Sequence, residues 1–254
     1  MLFRTKTRPL WFRAMNAVPV VFVVSLIIFE AFMYLHHAGR NWERSIPFGF
    51  SAVLVLWTYV KTVWTCPGVV ETNNETDSQR LSYCHECQCV KPPLFHHCKV
   101  CNTCIRRMDH HCPWVGNCVG ERNRKYFYQF LMWTLVATGQ ILADGGVRAL
   151  MKSLRVGGAL AVARVGALSV FIAVFILACV QTYLLSIGRT SVELVKYWDG
   201  EIESRSSKSC LENWRDVMGP RYVGWVFPTQ PPEFRNAFSS SSNEYRPVGV
   251  ELTV

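Results

Sequence analysis

Apolar residues fall in four long runs separated by polar segments. "NAVPVVFVVSLIIFEAFMYLH" (16–36) and "VGALSVFIAVFILACVQTYLLSI" (165–187) are each long enough to cross a hydrocarbon core of about 30 Å at about 1.5 Å per residue. "FGFSAVLVLWTYVKTVWT" (48–65) and "YFYQFLMWTLVATGQILA" (126–143) are shorter and more polar. Lys61 can snorkel towards an interface, and the aromatic residues suit membrane boundaries. A buried helix of a soluble protein would account for any one run, but four together predict four transmembrane helices. Glu30 and Gln140 lie at similar depths in the first and third runs, and an acid inside hydrocarbon seeks a partner. A hydrogen bond between them is therefore expected.

The first run follows Arg4, Lys6, Arg8 and Arg13 and has no small-residue cleavage site, so it reads as a retained anchor rather than a removed signal peptide. Four spans put both termini and the central segment, 66–125, on one side. Lys and Arg identify that side as cytosolic: four precede the first run and eight lie in 66–125, against Arg40 and Arg44 between the first two runs. The 144–164 loop, with Arg148, Lys152, Arg155 and Arg164, is a partial exception. The expected organisation is 1–65 for the N-terminus and first two spans, 66–125 for a cytosolic cysteine-rich domain, 126–187 for spans three and four, and 188–254 for a cytosolic tail. The fold class expected is an all-α polytopic membrane protein. The tail from 199, with "SRSSKSC", "QPP" and "SSSSN", reads as loosely structured, and its final "LTV" is a weak match to ligands of strand-adding domains. The net charge of +9 over 254 residues is explained by attraction to an anionic cytosolic leaflet, and nucleic acid is not needed.

Eight of the eleven cysteines lie between Cys84 and Cys118, in a segment assigned to the reducing cytosol, which favours metal binding over disulfides. Cys84 with Cys87 and Cys98 with Cys101 form two C-x2-C chelates, each fit for two corners of a zinc tetrahedron. Cys104 repeats the spacing, and three such positions crowd one tetrahedron, so Cys104 is better lent to the other metal, which interleaves the sites. The segment is poor in aliphatic residues, and each structural zinc can supply on the order of 10 kcal/mol of folding free energy. Spacing does not choose among His85, His96, His97, His110 and His111, nor between Cys112 and Cys118.

The stretch "YCHECQCVKPPLFHHCKVCNTCIRRMDHHCPWVGNCVGERNRKYFYQF" (83–130) resembles the cysteine-rich domain of the DHHC protein S-acyltransferases, also called palmitoyltransferases. The resemblance implies that Cys84, Cys87, His97 and Cys104 hold one zinc and that Cys98, Cys101, His111 and Cys118 hold the other. Cys112 is left as a nucleophile that takes a long-chain acyl group, palmitoyl-like, from acyl-CoA and passes it to cysteines of substrate proteins at the cytosolic membrane face. A free thiol with a pKa near 8.5 needs a base or a positive environment; His110 can supply it, with Asp109 fixing its tautomer. Trp114 offers an apolar wall for the acyl chain. The family's residence in endomembranes, Golgi or endoplasmic reticulum, or in the plasma membrane, is implied as well.

Three outer motifs depart from the family pattern. Asp-Pro-Gly after the second span is Cys66-Pro67-Gly68, Thr-Thr-x-Glu after the fourth is "TSVE" (190–193), and Pro-x-Arg reads Pro92, Pro93, Leu94. The last change removes a cation suited to a CoA phosphate, for which Lys91, His96 and Lys99 are the candidate replacements. "ENWRDVMG" (212–219) resembles the family's C-terminal motif, in which Asn213 anchors the tail. The competing class is a membrane-anchored zinc adaptor, a ubiquitin ligase or an inactive relative. A RING domain would need a closing C-x2-C pair, and the next cysteine after Cys118 is Cys179, inside a span.

Overall fold

The computed structural model describes residues 10–39, 41–69, 82–91, 94–200 and 208–230. Arg4, Lys6, Arg8, Pro92, Pro93, "SSSSN" and "LTV" lie outside the described residues.

Four helices form the bundle: α1 (Leu10–Ala38), α2 (Trp42–Trp64), α3 (Arg124–Ala143) and α5 (Ala159–Ser186). Three of them, α1, α2 and α5, are long and apolar enough alone to cross a membrane. The fourth, α3, qualifies together with α4 (Gly146–Val156), from which it is bent by 75°. Polar side chains share the inside of the bundle with apolar ones, and large apolar side chains also cover its outside. On α2, Ser51, Thr58 and Thr62 are buried while Phe50, Val53, Leu56, Trp57 and Trp64 face outwards. The inward hydroxyls are satisfied locally, Thr58 Oγ1 donating to the Leu54 carbonyl at 2.6 Å and Thr62 Oγ1 to that of Thr58 at 2.8 Å. Small residues let backbones approach where hydrophobic burial drives nothing, and Ala163, Ala167 and Ala178 bury on α5.

Gln140 accepts a hydrogen bond from Ser51 Oγ of α2 at 2.8 Å, not from Glu30. Glu30 instead points at α5, where a Cβ on Gly166 would stand 2.8 Å from Oε1, and its carboxylate oxygens have no hydrogen-bond partner among the described residues. The 144–164 stretch is mostly the helix α4 rather than a loop. The protein is mostly helical rather than all-α, because the cysteine-rich segment forms three antiparallel hairpins: β1 (Ser82–Cys84) with β2 (Cys89–Lys91), β3 (Phe95–Cys98) with β4 (Thr103–Arg106), and β5 (His110–Cys112) with β6 (Asn117–Val119). Within each C-x2-C turn the residue after the second cysteine, Gln88 or Asn102, takes a left-handed conformation with φ of 51° or 52°, which closes the turn back onto the strand.

The hairpins are bolted to one end of the bundle. Asn117 Nδ2 lies 3.3, 3.1 and 3.0 Å from the carbonyls of Thr62, Val63 and Thr65, groups that the C-terminus of α2 leaves unsatisfied. Gly120 has no room for a Cβ, which would sit 2.6 Å from the Pro67 carbonyl and 2.7 Å from Ile105 Cγ2. Past the bundle, Thr190 and Glu193 form a capping box that starts α6 (Ser191–Trp198), and Ser209 and Glu212 do the same for α7 (Cys210–Met218). The tail is therefore structured over 208–230, ending in the short α8 (Val223–Val226). Asn213 Nδ2 donates to the Ser186 carbonyl at 2.9 Å and Trp214 Nε1 to Ser186 Oγ at 3.1 Å, which gives Asn213 its anchoring part. Gln129 of α3 donates to the carbonyls of Gly224, Trp225 and Phe227.

Arg107, between the second and third hairpins, reaches Glu193 through Nε to Oε1 at 2.9 Å and NH2 to Oε2 at 3.0 Å. Both side chains are nearly excluded from solvent. Breaking such a buried pair from one side leaves an uncompensated charge, so Glu193→Ala should cost about 3 to 5 kcal/mol. Thermal unfolding in detergent checks this, with a large drop in midpoint expected.

Candidate metal and thiol site

The pleat of the hairpins decides which side chains meet, because successive residues of a strand point to opposite faces. His97 stands opposite Cys104 in the β3–β4 register, and this pair joins Cys84 and Cys87 from the first hairpin. His97 Nδ1 lies 3.5, 3.2 and 4.0 Å from the sulfurs of Cys84, Cys87 and Cys104, and the Cys87 and Cys104 sulfurs are 3.7 Å apart. The next residue, Cys98, projects the other way. With Cys101 it meets His111 and Cys118, which face each other across β5–β6. There His111 Nδ1 is 3.8, 3.3 and 3.6 Å from the sulfurs of Cys98, Cys101 and Cys118, and Cys101 and Cys118 approach to 3.4 Å.

These two groups of four are the metal-capable clusters found among the described residues. Each offers three thiols and one imidazole. A tetrahedral zinc with ordinary bond lengths has S···N and S···S edges of about 3.6 and 3.8 Å; the S···N spacings bracket the first and the S···S spacings lie just under the second, so the donor sets fit such an ion. The second hairpin serves both clusters, as the interleaving of Cys104 required. Its own apolar content is slight, chiefly Ile105 with Val69 and Met108 against the cysteines.

The same alternation places His110 and Cys112 together on the face opposite His111. His110 Nδ1 is 2.7 Å from Asp109 Oδ2, and its ring also interacts with the Cys112 thiol. Asp109 is 1% exposed and is held from three further directions. Gln181 Nε2 of α5 donates to Oδ2 at 2.7 Å, and the Ser191 amide and hydroxyl donate to Oδ1 at 2.7 and 3.0 Å. Burial pushes the Asp109 carboxyl up, but the His110 hydrogen bond, the Arg124 charge and the Ser191 amide outweigh it and leave the group below the usual carboxylate range. Burial likewise opposes charge on His110, yet the hydrogen bond to Asp109 and the Cys112 side chain raise it to about 9. Asp109 and His110 thus form an ion pair beside the thiol at neutral pH.

Cys112 is buried in an apolar cluster with Tyr59 and Val63 of α2, Phe127 and Leu131 of α3 and Ala178 of α5, against which Val20, Val23, Val24 and Ile27 of α1 pack. Tyr59 Oη donates to the Trp114 carbonyl at 2.8 Å, fixing the short turn Pro113–Val115 after the thiol. Trp114 is 57% exposed, its ring 6.4 Å from that of Phe22 on α1. His96 is buried, with Ile105 as its cross-strand partner, and Lys91 is half-buried at the end of β2. Lys99 is exposed in the turn after β3. Leu94 sits at φ 66°, its carbonyl accepting from the Arg107 amide at 2.7 Å.

Sequence reasoning missed Gln181 and Ser191. A glutamine inside the most apolar span is a signal of function or of a tie, and it was available. Ser191 lay within a recognised motif, but nothing in the sequence aimed it at Asp109.

A family model described as DHHC palmitoyltransferase matches residues 77–197. The chain is similar to probable protein S-acyltransferase 12 of Arabidopsis thaliana, at 33% identity over 213 residues covering 71% of each chain. It is also similar to palmitoyltransferase ZDHHC20 of Homo sapiens, at 26% identity over 85% of this chain and 74% of that one. Palmitoyltransferase ZDHHC7 of Mus musculus is 37% identical over 54% of this chain and 46% of its own length. With the Arabidopsis relative matched over most of both chains and the thiol, histidine and two metal-capable clusters in place, the chain belongs to the DHHC palmitoyltransferase family and is a protein S-acyltransferase.

Proposed function

We propose that Cys112 carries the acyl group between acyl-CoA and a cysteine of a substrate protein. The observation behind this is the shared strand face of Cys112 and His110, with the His110 ring locked on Asp109 and Cys112 outside both ligand clusters. In the first half-reaction the Cys112 sulfur, its proton already held on the His110–Asp109 pair, attacks the acyl-CoA carbonyl carbon. The bond to the CoA sulfur breaks, and the departing CoA thiolate takes the proton back from His110. In the second, the substrate cysteine gives its proton to His110 and attacks the acyl-Cys112 carbonyl, and Cys112 leaves as the thiolate.

The clusters Cys84/Cys87/His97/Cys104 and Cys98/Cys101/His111/Cys118 would each hold a structural zinc, which supplies folding free energy rather than a reaction step. The apolar cluster around Cys112 leads up between α1, α2, α3 and α5, and burying the acyl chain there is worth about 0.8 kcal/mol per methylene. Trp114 lines its entrance. Lys91 and Lys99 are candidates to meet CoA phosphates; His96 would have to leave its buried position to join them. In this reading α1, α2, α3 and α5 span an endomembrane of the Golgi or endoplasmic reticulum, or the plasma membrane. The hairpins, α6 and both termini lie in the cytosol, where CoA and substrate cysteines are found.

Serine substitutions at the two cysteines of β5 and β6 should fail differently. Cys112→Ser should keep two zincs and lose hydroxylamine-sensitive acyl labelling, whereas Cys118→Ser should lose zinc and folded protein. His110→Ala should keep both zincs while acylation slows by a factor on the order of 10² to 10⁴. Zinc stoichiometry beside acyl labelling on the same preparations decides it. Loss of zinc in Cys112→Ser, with an acyl-enzyme still formed by Cys118→Ser, would reverse the roles.

Gln181 is a positioning residue that acts through Asp109. Gln181→Leu removes one donor to a buried carboxylate, a contact worth about 1.5 to 3 kcal/mol, so acylation should slow by roughly ten- to a hundredfold. The apparent KM for acyl-CoA and the zinc content should stay unchanged. A raised KM at unchanged kcat would place Gln181 in substrate binding instead.

A further inference from the structure

α4 is set apart from the helices on either side of it. Glycine pairs mark its ends, Gly145 and Gly146 at the start and Gly157 and Gly158 after the last residue, all four with positive φ between 54° and 79°. A Cβ on Gly145 would come within 2.6 Å of Ala149 Cβ, so the first turn needs glycine there for space as well as for backbone freedom. The 75° bend at its start turns the chain across the bundle axis. The 20 residues of α3 cover about 30 Å, the thickness of a hydrocarbon core. With its first turn among the hairpins, α3 has about 24 Å left along the bundle and places α4 at the end far from the hairpins, where Trp42 is also exposed.

The sequence of α4, GVRALMKSLRV, divides into three sectors at helical spacing. Ala149 and Ser153 face α5, where Arg164 donates to the Ala149 carbonyl at 2.7 Å and to Ser153 Oγ. Val147, Met151 and Leu154 form an apolar sector left exposed by the protein. Arg148, Lys152 and Arg155 form a stripe beside it. All three are exposed, none is in an ion pair among the described residues, and α4 contains no acid. These are the cations that made the 144–164 segment an exception to the charge rule, and α5 takes up only Arg164.

We propose that α4 is an interfacial helix that binds anionic phospholipid headgroups in the leaflet opposite the Cys112 site. Its apolar sector enters the hydrocarbon edge, and Arg148, Lys152 and Arg155 meet the lipid phosphates. A helix with one apolar sector and a basic sector next to it suits a membrane surface, and nothing in α4 complements a cationic partner.

The test is hydrogen exchange of residues 146–156 in the full-length protein. It is reconstituted in phosphatidylcholine vesicles with increasing fractions of phosphatidylglycerol, with zinc content as the folding control. The amides of α4 should gain protection as phosphatidylglycerol rises. With Arg148→Gln, Lys152→Gln and Arg155→Gln combined, half-protection should need a higher fraction, with apparent affinity weakened on the order of a hundredfold if each cation contributes equally. Lys152→Arg, which keeps the charge, should behave as the parent. Full protection already in phosphatidylcholine alone would overturn the proposal, as would equal titrations for parent and triple variant. Protection that follows protein density instead of lipid charge would overturn it too, and would assign the face to a second copy of the chain.

Discussion

The pleat of one three-residue strand separates structure from chemistry in this protein. Along β5 the side chains of His110 and Cys112 point one way and that of His111 the other, so one imidazole joins a cluster of thiols while its neighbour stands beside a thiol that no cluster uses. A slip of one residue in the β5–β6 pairing would exchange the faces. His111 and Cys118 are cross-strand partners, so a metal bound between them would hold the register that aims His110 and Cys112.

Asp109 carries the consequence into the membrane bundle. Its carboxylate gathers donors from the hairpin segment, from α5 and from the start of α6, so the His110 ring is oriented by elements 72 and 82 residues away in sequence. The Arg107–Glu193 pair makes a second bond between the same two regions. Neither the hairpins nor the bundle alone would hold the histidine, because the former have little apolar core and the latter supplies only one of the four donors to Asp109. Burial of the thiol among Tyr59, Phe127 and Ala178 follows from the same docking and keeps it away from bulk water.

Much of this was legible in the sequence, for identifiable reasons. Hydrophobic length is a local property, so the runs at 16–36 and 165–187 marked α1 and α5 directly. The C-x2-C pairs announced metal, and the crowding argument separated Cys104 from Cys98 and Cys101. The choice between His110 and His111 came from resemblance, because spacing says nothing until the segment is known to be strand. Equal depth misled for Glu30 and Gln140, since depth along a helix does not fix the direction around its axis, and Ser51 faced Gln140 first. The three cations of α4 concealed a helix in what reads as a loop. Gln181 and Arg107 depend on partners far along the chain, which no local pattern encodes.

The account rests on a division of labour among thiols, and peptide mass spectrometry tests it most directly. The purified protein would be mixed with palmitoyl-CoA, quenched in acid and digested. One hydroxylamine-labile palmitoyl group on Cys112 is predicted, with Cys98, Cys101 and Cys118 unmodified. A stable acyl group on Cys118, Cys66 or Cys89, with Cys112 free, would contradict it.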